Sequence, residues 1–292
     1  MIVSRVIGGL GNQMFQYAVG RALSLKRNVP LVLDTSQFDS YMRHQGFELG
    51  RIFNSQFQIA TKDDIIQILG WQSAPLAKRI LSRPVMDRLR RPEFVSEPHF
   101  HFWRAIDAVP SRCYLQGYWQ SPRYFEEYQA KIREDFTFKL PLTGKNIDLS
   151  DRISQVNSVS LHVRRGDYLS NKKTTALHGL CSVDYYKTAI HKIGLTQDQP
   201  VFFVFSDDIV WAEKNLEIEF PCHYINHNKG LESFNDMRLM SLCRHNIVAN
   251  SSFSWWGAWL NSNQHKIVIA PKKWFVTSLN TEDLLPAGWT SI

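Results

Sequence analysis

The segment Ser158-Val159-Ser160-Leu161-His162-Val163-Arg164-Arg165-Gly166-Asp167-Tyr168 sets two adjacent arginines, a glycine and an aspartate directly behind a short apolar run. Planar guanidinium forks match paired phosphate oxygens better than an ammonium does. Gly166 permits a tight turn or a close approach to the backbone, and Asp167 can orient an arginine or accept a proton. Taken alone, the same residues equally make a solvated turn with an Arg–Asp surface pair. A second segment, Val201-Phe202-Phe203-Val204-Phe205, ends in Ser206-Asp207-Asp208. A carboxylate there can accept hydrogen bonds from guanine N1–H and the exocyclic amine, hold a metal, or cap a helix. The Asp-x-Asp pattern that bridges a metal to a diphosphate is missing. A third segment runs Ala249-Asn250-Ser251-Ser252-Phe253-Ser254-Trp255-Trp256-Gly257-Ala258-Trp259. Its serine pair precedes a helix start, where hydroxyls and unpaired amides favour an anion. Trp256 and Trp259 read as core.

Such groups need strands that deliver them to one edge of a sheet. Strand-like and helix-like segments alternate along the chain, the pattern of an α/β protein. In the first half, Val3–Ile7 reads as a strand, Gln13–Arg27 as a helix, and Leu31–Asp34 and Tyr114–Tyr118 as strands; a helical stretch follows over Arg123–Phe136. In the second half, strands over Val159–Val163, Val201–Phe205, Ile247–Ala249 and Ile267–Ala270 alternate with helices. Ser182 reads as an N-cap, and Ser233-x-x-Asp236 as a capping box. If the sheet is parallel, the three anion-competent loops open on one edge, where α/β sheets bind ligands. Three together argue for a nucleoside diphosphate. The absence of a Gly-Lys-Ser/Thr loop argues against a P-loop kinase.

The loop Gly8-Gly9-Leu10-Gly11-Asn12-Gln13 between a strand and a helix also suits a phosphate, and Asp34 stands where a dinucleotide fold keeps its ribose-binding acid. Met14 occupies the place of the third glycine, which weakens a nicotinamide-dependent oxidoreductase as an alternative. The formal net charge of +7 makes anionic partners plausible. A non-catalytic nucleic-acid-binding protein is a second alternative, weakened because the basic residues cluster and no nucleic-acid motif appears. Lys78, Arg79, Arg83, Arg88, Arg90 and Arg91 sit among Leu76, Ile80, Leu81, Val85, Met86 and Leu89. A basic amphipathic helix over 76–91, interrupted by Pro84, can lie on an anionic membrane. The sequence shows no signal peptide and no 18-residue apolar run, so a cytoplasmic location is expected, with peripheral contact at the inner face of the cell membrane through 76–91. Cys113, Cys181, Cys222 and Cys243 form no Cys-x-x-Cys pair and read as free thiols. The polar, aperiodic stretch 139–158 reads as the junction between domains 1–145 and 155–292.

Five motifs in order carry a resemblance. They are Gly8–Tyr17, Gly117-Tyr118-Trp119-Gln120-Ser121, His162–Tyr168, Phe205-Ser206-Asp207-Asp208 and Asn250–Trp256. Together they resemble the bacterial α-1,2-fucosyltransferases, within the wider α-1,2/α-1,6/protein O-fucosyltransferase group. The resemblance implies a GT-B-like α/β architecture of two Rossmann-like domains facing across a cleft, the first on the acceptor side and the second holding GDP-fucose. It implies inverting, metal-independent transfer of L-fucose from GDP-β-L-fucose to the 2-hydroxyl of a terminal galactose, on an oligosaccharide or a lipid-linked glycan. No cofactor, metal or nucleic acid is expected. By the same resemblance Arg164 meets the β-phosphate, His162 and Asp207 or Asp208 meet guanine, and Ser251, Ser252 and the amide of Phe253 meet phosphates. Gly11, Asn12 and Gln13 complete the donor set, with Asn12 near the reaction. Leu169–Lys173 lacks the carboxylate that α-1,6 relatives carry after the arginine motif, so Asp167, His178 and Asp184 are all base candidates.

Overall fold

The computed structural model describes residues 1–39, 45–166, 175–177 and 179–292. The chain forms two compact units, Met1–Lys139 with Asn280–Leu284, and Leu140–Leu279 with Leu285–Ile292.

The first unit holds strands β1 (Ile2–Arg5), β2 (Leu31–Asp34), β3 (Phe94–Ser96) and β4 (Cys113–Gln116), all parallel, in the order β2-β1-β4-β3. Helix α1 (Leu10–Arg27) covers one face, α2 (Leu49–Ile52) follows, and α3 (Lys62–Leu69) and α4 (Pro75–Leu81) cover the other face. Val3, Val32, Leu69, Leu81, Phe94 and Tyr114 form the core under α3 and α4. Met14 is tolerated because the close helix–strand approach comes later in α1. A Cβ on Gly20 would stand 2.8 Å from Leu31 and 3.1 Å from Ser4, and the Ser4 hydroxyl donates to the Gln16 carbonyl at 2.7 Å.

The second unit holds β5 (Asn157–Val163), β6 (Pro200–Ser206), β7 (Cys222–Ile225), β8 (His245–Ile247), β9 (Val268–Ala270) and β10 (Thr290–Ser291), in the order β10-β9-β8-β5-β6-β7, again parallel. Both faces are covered, which is why β6 reads as a near-continuous apolar run, whereas β5 alternates Val159, Leu161 and Val163 with buried Ser158, Ser160 and His162. Val159, Leu161, Val163, Phe202 and Val204 pack toward α7 (Val183–Thr196) and α8 (Ile209–Asn215). Phe203 and Phe205 pack on the opposite face against α6 (Lys145–Gln155) and α9 (Phe234–Leu242). Helix α10 (Ser252–Leu260) buries Trp255, Trp256 and Trp259 as core.

Four expectations change. Residues 145–155 are a helix, not an aperiodic stretch; Asn146, Leu149 and Ile153 make its inward stripe, and the polar side chains around them hid it. Over 123–136 only α5 (Gln129–Asp135) is α-helical. Pro122–Tyr124 and Glu126–Tyr128 are 3-10 turns, because Tyr124 and Phe125 turn into the core. Ser233 makes no capping hydrogen bond, and Asp236 instead accepts one from Asn228 at 2.8 Å. The basic stretch is not one helix: α4 ends at Leu81 and a 3-10 turn spans Pro84–Leu89. The Ser182 cap is present, accepting from the Tyr185 amide. No helix among the described residues is long and apolar enough to cross a membrane.

Candidate active site

In the second unit the chain leaves β5 toward β6 and β7, then returns to lay β8 on the other side of β5. Strand order reverses between β5 and β8, and the crevice beyond their carboxyl ends is where an open parallel sheet takes a ligand. The end of β5 delivers His162 and Arg164; the end of β8 leads through Asn250 into α10. All three loops singled out in the sequence follow parallel strands, β5, β6 and β8, so they share this edge.

The two arginines do different work. The Arg165 guanidinium lies 3.7 Å over the Trp211 ring and 3.4 Å from Asp208 Oδ2, which fastens it to α8. Asp208 caps the same helix, accepting from the Trp211 amide at 3.2 Å. Arg164 pairs with Asp207 at 2.9 Å and keeps 28% of its side chain exposed at the edge. The other Asp207 oxygen accepts from the Arg165 amide at 2.8 Å. Asp207 therefore grips the arginine turn from both ends. A Cβ on Gly166 would stand 3.0 Å from Asp207 Oδ2, so what approaches this glycine closely is the carboxylate.

His162 points from β5 to the face opposite Val163, with its ring 5.9 Å from that of Phe253. Its Nδ1 is buried and, among the described residues, has no hydrogen-bond partner. Burial, helped by the neighbouring Arg164 charge, pushes the imidazole down to about 3, so the ring is neutral at ordinary pH. A buried ring nitrogen without a partner costs free energy unless something arrives to pair with it.

Ser251 caps α10, its hydroxyl accepting from the Phe253 amide at 3.3 Å. Ser252 and Phe253 occupy the first turn and are half-exposed. Buried Asn250 fixes the loop from behind: it donates to the Trp274 carbonyl at 3.2 Å and accepts from the Cys181 thiol at 3.4 Å. Helix N-terminal amides, a hydroxyl and Arg164 thus stand at one sheet edge.

The first unit has a switch point of its own, between β1 and β4. There the Gly8–Gln13 and Gly117–Ser121 motifs meet. Gln120 donates to Asn12 Oδ1 at 2.7 Å, and Gln16 donates to the Gly117 carbonyl at 3.0 Å. Gly11 is buried in the first turn of α1. Gln13 is wholly buried and ties loops together, donating to Gly8 and Gly46 and accepting from the Glu48 amide. Asp34 does not face a ribose site. It is buried against the Tyr114 hydroxyl (2.6 Å), the Ser36 amide and Lys78. Burial raises its carboxyl, but those hydrogen bonds and the Lys78 charge outweigh it and leave the group below its ordinary value. This removes the acid on which the oxidoreductase alternative rested.

Asp167 and His178 lie outside the described residues, and Asp184 is exposed in the first turn of α7. The structure adds two carboxyls that sequence reasoning missed. Glu97, just past β3, accepts from the Tyr118 and Trp119 amides at 2.7 and 2.9 Å; burial nevertheless pushes it up to about 7. It holds the turn in which Trp119 adopts φ +56°. Asp236, in the first turn of α9, is likewise raised to about 7 by burial. Neither sits in a recognisable motif, so only the fold reveals them. In the stretch His99–Trp103, His99 is exposed and the rest is partly buried, with Arg123 stacked 4.5 Å over Phe102.

Two parallel α/β units, one with an arginine and a helix N-terminus at its switch point, define the GT-B class of fold. The chain belongs to glycosyl transferase family 11, whose model matches residues 83–292. It is 39% identical to an alpha-1,2-colitosyltransferase of Escherichia coli over 100% of this chain and 99% of the relative. It is 34% identical to the O-antigen biosynthesis glycosyltransferase WbnK of Escherichia coli, covering 98% of both chains. A galactoside alpha-(1,2)-fucosyltransferase 1 of Saimiri boliviensis boliviensis is 24% identical over 63% of this chain and 51% of its own length. Among solved structures, the fucosyltransferase NodZ from Bradyrhizobium superposes with a TM-score of 0.55 at 14% identity, covering 88% of this chain and 91% of its own. A variant of Arabidopsis thaliana FUT1 in complex with GDP gives 0.54 at 13% identity, covering 92% and 70%.

Proposed function

We propose that the protein transfers L-fucose from GDP-β-L-fucose to the 2-hydroxyl of a terminal galactose, with inversion and without a metal. The observation that carries the reading is Arg164 at the switch point beside the serine-capped N-terminus of α10. When the bond between the sugar's anomeric carbon and the β-phosphate oxygen breaks, negative charge grows on that phosphate while the sugar becomes oxocarbenium-like. In this reading Arg164 and the Ser251–Phe253 turn hold that charge. The galactose 2-hydroxyl oxygen bonds to the anomeric carbon from the opposite face and loses its proton. With so well stabilised a leaving group, weak base assistance from Asp167, His178 or Asp184 suffices. His162 Nδ1 and the Asp207–Asp208 pair offer partners for the guanine edge, since a carboxylate oxygen can accept more than one hydrogen bond. Asn12, whose amide oxygen accepts from Gln120, keeps the reaction role that the family resemblance implies for it.

The names of the relatives support α-1,2 linkage chemistry, and a NodZ structure was obtained with GDP-fucose. The 39% relative also favours a second donor reading, activated colitose. The test offers GDP-fucose and activated colitose, with excess EDTA, to a panel of galactose-terminated glycans. Transfer of fucose to the 2-hydroxyl, undiminished by EDTA, is expected. Transfer of colitose alone selects the second reading, and a requirement for added magnesium or manganese overturns the metal-free account.

A further inference from the structure

We propose that the α3–α4 face of the first unit is a docking surface for an anionic lipid bilayer. In α4, Ala77 and Leu81 turn inward to the core, and Lys78 reaches Asp34. On a helix the residues three and four apart share a face, so Leu76, Arg79 and Ile80 lie on the side away from Leu81 and are exposed; Arg83, past the end of α4, is exposed as well. The 3-10 turn repeats the division: Met86 packs inward while Val85, Arg88 and Leu89 face out. Trp71, in the turn before α4, joins them.

Trp71, Leu76, Val85 and Leu89 are 69, 68, 84 and 64% exposed. Single exposed apolar residues are ordinary, but several on adjoining turns mark an interaction surface. The platform is tied together by side-chain hydrogen bonds. Buried Gln72 donates to the Leu89 carbonyl at 3.1 Å and accepts from the Arg91 amide at 3.2 Å. Arg90 turns inward and donates to the carbonyls of Leu81 and Arg83. The charge identifies the occupant. Residues 62–91 carry seven basic side chains against three acidic, Asp63, Asp64 and Asp87; Asp64 is taken up by the Thr61 cap and Asp87 is paired with Arg90. Among the described residues, Arg79, Arg83 and Arg88 make no ion pair. An interfacial tryptophan and aliphatic side chains framed by arginines are what a negatively charged lipid surface takes up. A water-soluble protein partner would need acidic groups matched to each arginine, whereas a bilayer supplies diffuse negative charge over the whole face.

The test is co-sedimentation of the whole protein with phosphatidylcholine vesicles, with and without about one-third phosphatidylglycerol. We expect binding only to the phosphatidylglycerol vesicles, weakening steeply with salt. Each basic side chain near such a surface contributes roughly fivefold to partitioning. Arg79→Gln with Arg83→Gln and Arg88→Gln should therefore lower binding by about a hundredfold, and Val85→Ser with Leu89→Ser, which removes apolar area, by at least about tenfold. These positions are exposed, so thermal midpoints should stay unchanged, and the salt titration of the unaltered protein stands independently of any variant. Three results would overturn the proposal: no phosphatidylglycerol-dependent binding, binding that both sets of variants leave intact, or light scattering that shows a dimer which Val85→Ser with Leu89→Ser dissolves, placing a second copy on this face.

Discussion

Arg164 and Arg165 are chemically identical neighbours, and the sequence cannot separate their roles. Their surroundings do. Arg165 stacks on Trp211 and pairs with Asp208, so Arg165→Ala should lower stability by about 0.5–2 kcal/mol, the range of a partly desolvated cation–π contact, seen as a fall in thermal midpoint. Arg164 remains partly exposed at the edge, paired with Asp207. Arg164→Ala should leave the midpoint nearly unchanged while lowering the turnover number about 10²–10³-fold, as loss of one charge-stabilising donor does. A near-normal turnover number in that variant would refute the role given to the arginine. His162 was legible as a candidate from its place in the motif, but its unpartnered Nδ1 was not. Nothing in the chain order says that the other groups on its side of the sheet leave that nitrogen unbonded.

At the scale of elements, the crevice depends on two turns. Ser251→Ala removes the α10 cap and should cost about 1 kcal/mol of stability; calorimetric titration should also show weaker GDP binding. Gly166→Ala sets a methyl 3.0 Å from Asp207 Oδ2. Asp207 must then shift, releasing the Arg165 amide and misplacing Arg164. GDP affinity should fall further than stability, the latter by about 1–3 kcal/mol as for other overpacked sites. Unchanged GDP affinity in both variants would mean that the turns do not border the ligand. The strands that carry these turns were readable because burial on both faces makes β6 a continuous apolar run, while β5 shows a clean alternation of Val159, Leu161 and Val163. The strands β3, β7 and β10 were not: each is a sheet edge of two to four residues that includes a polar or exposed position, so no apolar run marks it. Residues 145–155 hid a helix because only three of eleven positions form its apolar or buried stripe.

At the scale of the molecule, opposing titrations shape stability. Glu97 and Asp236 are both raised to about 7 from ordinary values of 4.5 and 3.8. Their share of stability is complete below the unfolded values and is lost as pH rises from about 4 to about 7. His162, lowered from 6.5 to about 3, acts oppositely: its share is complete above 6.5 and is lost as pH falls toward 3. Denaturant unfolding across this range should show Glu97→Gln with Asp236→Asn flattening the loss on the alkaline side, and His162→Gln flattening the loss on the acid side. A double carboxyl variant with the same alkaline slope as the parent would contradict the burial argument. The alternation of strands and helices and the five motifs made the α/β class and the family legible before any coordinates. The crossing order of the strands, which creates a switch point beside β5, was not, because pairing between distant strands leaves no local trace. The most direct test of the whole account is a crystal structure of the protein with GDP. The account predicts the diphosphate between Arg164 and the Ser251–Phe253 turn, with guanine against His162. A diphosphate bound elsewhere, with Arg164 still paired with Asp207, would contradict it.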